Sequence, residues 1–112
     1  MDDAIQKIVE AGIQAPSGDN CQPWRFVVKG NTIELYNLPE RDNSLYNWGQ
    51  RASYVAHGAL LENMSIAASQ LGYTLSIDLF PEKSDTNFIA RVTLIKVEAK
   101  NEPLYDAIFQ FP

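Results

Sequence analysis

The chain has 112 residues, of which 46% are hydrophobic, with five Phe, five Tyr and two Trp, enough for one domain with a real core. Fourteen acidic against nine basic residues give a formal charge of −5, and no Lys/Arg cluster occurs, which argues against nucleic-acid binding and against an anionic membrane surface. A lone Cys21 and a lone His57 make neither an internal disulfide nor a metal site, and no apolar run approaches the roughly 20 residues of a membrane helix.

The Met-Asp-Asp start lacks the basic and apolar parts of a signal peptide, and the single cysteine suits a reducing compartment, so a cytoplasmic protein is expected. Residues 2–14 predict a helix: Asp2 or Asp3 suits its start, and Ile5, Ile8, Val9, Gly12 and Ile13 share one face. Pro16 forces Ala15 into an extended conformation and ends that helix. A connection then runs from Ala15 to Trp24, dense in small, polar and rigid residues (Ala-Pro-Ser-Gly-Asp-Asn-Cys-Gln-Pro-Trp). Its Gly and Ser let a ligand approach the backbone, and its Asn and Gln offer amides. Chemistry alone leaves two readings open, a binding loop or a polar connection anchored by its Pro and Trp.

Arg25–Val28 and Thr32–Tyr36 flank Lys29-Gly30-Asn31 and predict a hairpin. Residues 37–46 read as a polar connection. A long helix is expected over 48–71, spanning about 35 Å, with Asn47 and Gln50 as a capping pair and Gly72 as its C-terminal stop. One face is traced by Ala52, Val55, Ala56, Ala59, Leu60, Asn63, Ile66, Ala67 and Leu71, and a second by Tyr54, Leu61, Met64 and Ala68. Apolar on two sides, this helix should be central. Tyr73, Leu75, Ile77 and Leu79 alternate as a half-buried strand, residues 81–87 turn, and 88–97 form another strand with Phe88, Ala90, Val92 and Leu94 on one face. A short last helix begins at Leu104, which must dock to be stable.

No catalytic arrangement emerges from spacing. His57 has no triad partner and reads as a packed or surface residue. Cys21 has no basic neighbour to activate it, and the carboxylates are scattered. Asn63, on the apolar side of the long helix, requires a partner that could be backbone, side chain or ligand.

At Ala15-Pro16-Ser17-Gly18-Asp19-Asn20-Cys21-Gln22-Pro23-Trp24-Arg25-Phe26 the chain resembles the nitroreductase family of flavin enzymes, in which a first helix leads through Ala-Pro-Ser-x-x-Asn-x-Gln-Pro-Trp-x-Phe into a strand. Arg51, His57–Asn63 and Ala67–Tyr73 look like the family's central helix and its exit, and the runs from Leu79 to Val92 and from Pro103 to Ile108 are similar to a divergent branch. The match covers nearly the whole chain and implies the N-terminal half of a typical member.

The resemblance implies an α+β fold with a long central helix on an antiparallel or mixed sheet, and an intertwined homodimer with FMN at the interface. It implies that Pro16, Ser17 and Gly18 lie against the isoalloxazine ring, that Asn20 and Gln22 hold the loop or touch the flavin, and that Trp24 is an anchor. NAD(P)H would be the reductant and a small electron acceptor the substrate. No acid or base is implied, because the cofactor carries the chemistry. Many members grip the FMN phosphate with an Arg-containing segment before the first helix and an Arg near the C-terminus. This chain has neither, and Arg41 and Arg51 are the candidate substitutes. The alternative is a non-catalytic dimerisation or binding module without a complete flavin site.

Overall fold

The computed structural model describes residues 3–15, 24–39, 51–99 and 104–108, the side chains of 51–53, 106 and 107 excepted. The order is α1 (Asp3–Gly12), β1 (Trp24–Lys29), β2 (Thr32–Asn37), α2 (Arg51–Gln70), β3 (Tyr73–Leu79), β4 (Phe88–Lys96) and α3 (Leu104–Ile108). The four strands form one antiparallel sheet in the order β1-β2-β4-β3. Each predicted element exists, within a few residues of its expected ends.

Local chemistry explains the turns. Gly30 takes φ 59° in the two-residue link that pairs Lys29 with Thr32. Asn31 then fastens the hairpin to β4: its carbonyl accepts from Leu94 N (2.9 Å), and its Nδ2 donates to Leu94 O (3.2 Å). Gly72 ends α2 at φ 89°, a conformation any side chain would strain, and its carbonyl accepts from Val97 N at 2.9 Å.

The core lies between one sheet face and the helices. Ile33, Leu35, Ala90, Val92 and Leu94 of β2 and β4 meet Leu60, Leu61, Met64, Ala67 and Ala68 of α2, with Ile5, Ile8 and Ala11 of α1 packed beyond them. Ile108 of α3 closes one side, so the short helix docks as its stability requires.

Three expectations about faces are corrected. The buried stripe of α2 runs through His57, Leu60, Leu61, Met64, Ala67 and Ala68, whereas Val55 is 74% exposed. Val55 precedes His57 by two residues, about 200° around the helix, and so points away from the sheet. On β3 only Tyr73 and Leu75 pack on the core; Ile77 and Leu79 extend past the helical cover and are exposed. Phe88 does not share the face of Ala90 and Val92. The register slips between Leu35 and Tyr36, which pair with Ala90 and Phe88, leaving Ile89 as the extra residue. That bulge turns Phe88 to the outer face, where it stacks on Tyr36 at 4.6 Å, while Ile89 joins the core.

The outer face is polar and aromatic. Arg25 lies over the Tyr36 ring and Arg91 over Phe88, at 4.6 and 5.4 Å. Beneath them Glu34, 7% exposed, receives Lys29 at 3.3 Å and Arg91 at 3.8 Å.

Candidate functional site

The residues assigned by resemblance to the flavin, Pro16, Ser17, Gly18, Asn20 and Gln22, lie outside the described residues, as do Cys21, Arg41 and the side chain of Arg51. What the structure shows is the frame from which that connection leaves and to which it returns.

On the entry side, α1 comes very close to α2. A Cβ on Gly12 would stand 2.8 Å from Met64 Cγ and 3.2 Å from Leu60 Cγ, so only glycine permits this separation. The helix then unwinds in one turn, with Ile13 N bonded to Val9 O (3.0 Å), Gln14 N to Ala11 O (3.2 Å) and Ala15 N to Gly12 O (3.0 Å). Asn63 Nδ2 donates to Ala11 O at 3.2 Å, a second donor on the carbonyl that already accepts from Gln14 N in the last turn. The partner that Asn63 needs is therefore main chain. Ala15, the last residue before the connection, is 5% exposed.

The exit side is built from side chains that spacing alone did not bring together. Trp24 opens β1 and pairs across the ladder with Asn37, the last residue of β2. Expected in a polar connection, Asn37 is instead 3% exposed. His57 is fully buried, with its Nε2 3.2 Å from Asn37 Oδ1. An amide oxygen only accepts, so Nε2 carries the hydrogen. Asn37 Nδ2 donates to Asn87 Oδ1 at 3.3 Å, and Asn37 N donates to Asn87 O at 2.7 Å. The Trp24 ring stands edge-on to the His57 ring, 5.8 Å between centroids. The signal that could have singled out Asn37 and His57 is weak, because either side chain is equally at home on a surface.

Four of the described cations are engaged away from this frame. Lys7 pairs with Asp3, Lys29 and Arg91 with Glu34, and Arg25 covers Tyr36. Among the described residues no cluster of three or more His, Cys, Asp and Glu is placed to hold a metal ion, and no helix is long and apolar enough to cross a membrane.

The α+β layout, with a long helix on an antiparallel sheet, is found in several solved structures. A putative nitroreductase from Desulfovibrio desulfuricans, solved with FMN, superposes at a TM-score of 0.65 and 22% identity, over 100% of this chain and 86% of that one. A putative NADH oxidase from Clostridium acetobutylicum gives 0.69 at 17% identity, over 91% and 80%. Among curated proteins, "Putative NAD(P)H nitroreductase acg" of Mycobacterium tuberculosis is 29% identical over 92 residues. The chain is nitroreductase-like in sequence and in fold. A second such protein of that organism, "Putative NAD(P)H nitroreductase Rv3131", is 24% identical over 90 residues. Each alignment takes in 80% of the nitroreductase-like chain, which spans only 27% and 26% of the length of these curated relatives. No family model matches.

Proposed function

We propose that this chain contributes the flavin-facing segment of an FMN-dependent oxidoreductase of the nitroreductase type, one that passes electrons from NAD(P)H to a small nitro, quinone or similar acceptor. The observation carrying this reading is the anchored connection. A motif resembling the family's flavin loop leaves from a glycine-tight helix crossing at Gly12 and returns at a Trp24 fixed by Asn37 and His57.

The donor set fits the cofactor's ring. Ser17, Asn20 and Gln22 are neutral hydrogen-bonding groups suited to a heterocycle with both donor and acceptor edges, and Pro16 and Gly18 suit close approach to a flat face. When bound, FMN would supply hydride and electron transfer; the chain would hold, orient and shield it. A homodimer with the flavin at the interface is part of this proposal, as is a phosphate grip that includes Arg41 or Arg51.

Purified protein should carry, or take up from micromolar FMN, a yellow chromophore that NADH or NADPH bleaches and a quinone restores. Comparing FMN with riboflavin reads the phosphate grip separately. Colourless protein that leaves the fluorescence of added FMN unchanged overturns the reading in favour of a binding module without flavin.

A further inference from the structure

Strand β3 lies at one edge of the sheet, and among the described residues only β4 pairs with it. The phase of that ladder is set at both ends. Phe80 N donates to Ile89 O at 2.8 Å, and Gly72 O accepts from Val97 N at 2.9 Å. Antiparallel partners alternate between hydrogen-bonded and non-hydrogen-bonded pairs, so the even-numbered residues of β3 turn their main-chain groups to β4. The N–H and C=O groups of Tyr73, Leu75, Ile77 and Leu79 therefore point to the open edge.

The devices that commonly blunt an edge are missing from β3. It holds neither proline nor a basic residue, and it meets β4 without the register slip that separates β2 from β4. Its one charge, Asp78, lies on the outer face beside Arg91. The opposite edge strand, β1, carries Arg25 and Lys29. Tyr73 and Leu75 pack on the core, whereas Ile77 and Leu79 are exposed beyond the helices. One half of β3 thus lies under cover and the other half lacks it.

We propose that β3 docks β3 of a second copy of this chain, antiparallel, about a two-fold axis at Ser76. A strand covered at one end and bare at the other complements its own reverse. In this register Leu75 of one copy faces Ile77 of the other, and Tyr73 faces Leu79. Each outward N–H and C=O then finds a partner, and each exposed apolar side chain is laid beside a covered one. On the outer face Ser76 meets Ser76 and Thr74 meets Asp78, so no like charges are opposed. The contact is isologous and closes on itself, joining two four-stranded sheets into one. It does not depend on the flavin reading.

The test uses the full chain in a Cys21→Ser background, so that every thiol is an introduced one. Ser76→Cys sets two thiols across the axis in a non-hydrogen-bonded pair, with Cα atoms about 4.5 Å apart, within disulfide range. Thr74→Cys puts an exposed thiol on the same face, but opposite Asp78 rather than itself. Mild oxidation should link Ser76→Cys into dimers and leave Thr74→Cys largely unlinked. Ile77→Pro removes an N–H that the chain's own ladder does not use, and Ile77→Lys sets a charge beside Leu75 of the other copy. Each should halve the mass read by sedimentation equilibrium at micromolar protein, while circular dichroism stays native. Equal linking of the two cysteine variants, or an equal mass for wild type and the Ile77 variants, overturns the proposal. Should Ile77→Pro not fold, Ile77→Lys carries the mass comparison.

Discussion

Replacing Gly12 by Ala tests the close approach of α1 to α2. Gly12 is absent from the residues at positive φ, so alanine meets no backbone penalty there. As the last residue of α1 it should even gain from alanine's helix propensity, by at most about 1 kcal/mol. Against that stands the new methyl carbon, 2.8 Å from Met64 Cγ and 3.2 Å from Leu60 Cγ, where carbons rest comfortably at about 3.5–4.0 Å. Met64 and Leu60 are both fully buried, and the atoms met are not flexible tips. Overpacking of this kind costs about 1–3 kcal/mol. The net expectation is a loss of about 0.5–2 kcal/mol, or roughly 3–12 °C in Tm for a domain this small. Urea unfolding followed by circular dichroism measures it. In a Met64→Ala background the closer obstacle is gone and only Leu60 Cγ at 3.2 Å remains, so Gly12→Ala should cost markedly less than in wild type. Strict additivity of the two changes, or a Gly12→Ala protein more stable than wild type, refutes the reasoning.

Phe80 sits at φ 48°, in the left-handed region that costs a side chain about 1–2 kcal/mol, so Phe80→Gly should be at least as stable as Phe80→Ala by thermal melting, reversing the usual order. Glu34→Gln removes the carboxylate shared by Lys29 and Arg91. Both cations are substantially exposed, so the loss should be about 0.5–1.5 kcal/mol, and the difference from wild type should shrink in roughly 1 M salt. Leu60→Ala should cost about 2–5 kcal/mol and Val55→Ser less than about 0.5 kcal/mol in urea titrations; equal costs would mean that the rotation of α2 is misread.

Element type and order were legible because they rest on short-range signals. The alternation in β2, β3 and β4, the glycines at 30 and 72, and the apolar spacing of α1 each specify local geometry. Which faces are covered was not legible where the answer depended on a distant neighbour. Both apolar strips of α2 contribute to the core, Ala56, Leu60 and Ala67 from one and Leu61, Met64 and Ala68 from the other, and only the position of the sheet shows that Val55 lies off it. The bulge at Ile89 inverts Phe88 through a register slip that no alternation reveals. In the candidate site, the motif between Ala15 and Trp24 was visible as chemistry, and the helix behind it as periodicity. The pairing of His57 with Asn37 was not, since it joins residues twenty positions apart through a ladder end. Asn63 was recognised as a side chain needing a partner, and the fold supplies it from α1.

The strand order β1-β2-β4-β3 also bears on how the chain reaches its native state. Two of the three pairings, β1 with β2 and β3 with β4, are made between consecutive strands and close short loops. The central one joins Thr32–Tyr36 to Phe88–Thr93, with the whole of α2 intervening. Loop-closure entropy makes that junction the most expensive to form, so two independent hairpins should assemble early and meet late. Substitutions at Ile33 and Val92 should then chiefly accelerate unfolding, whereas weakening the Gly30 turn should slow folding, a kinetic division that stopped-flow φ-values can read.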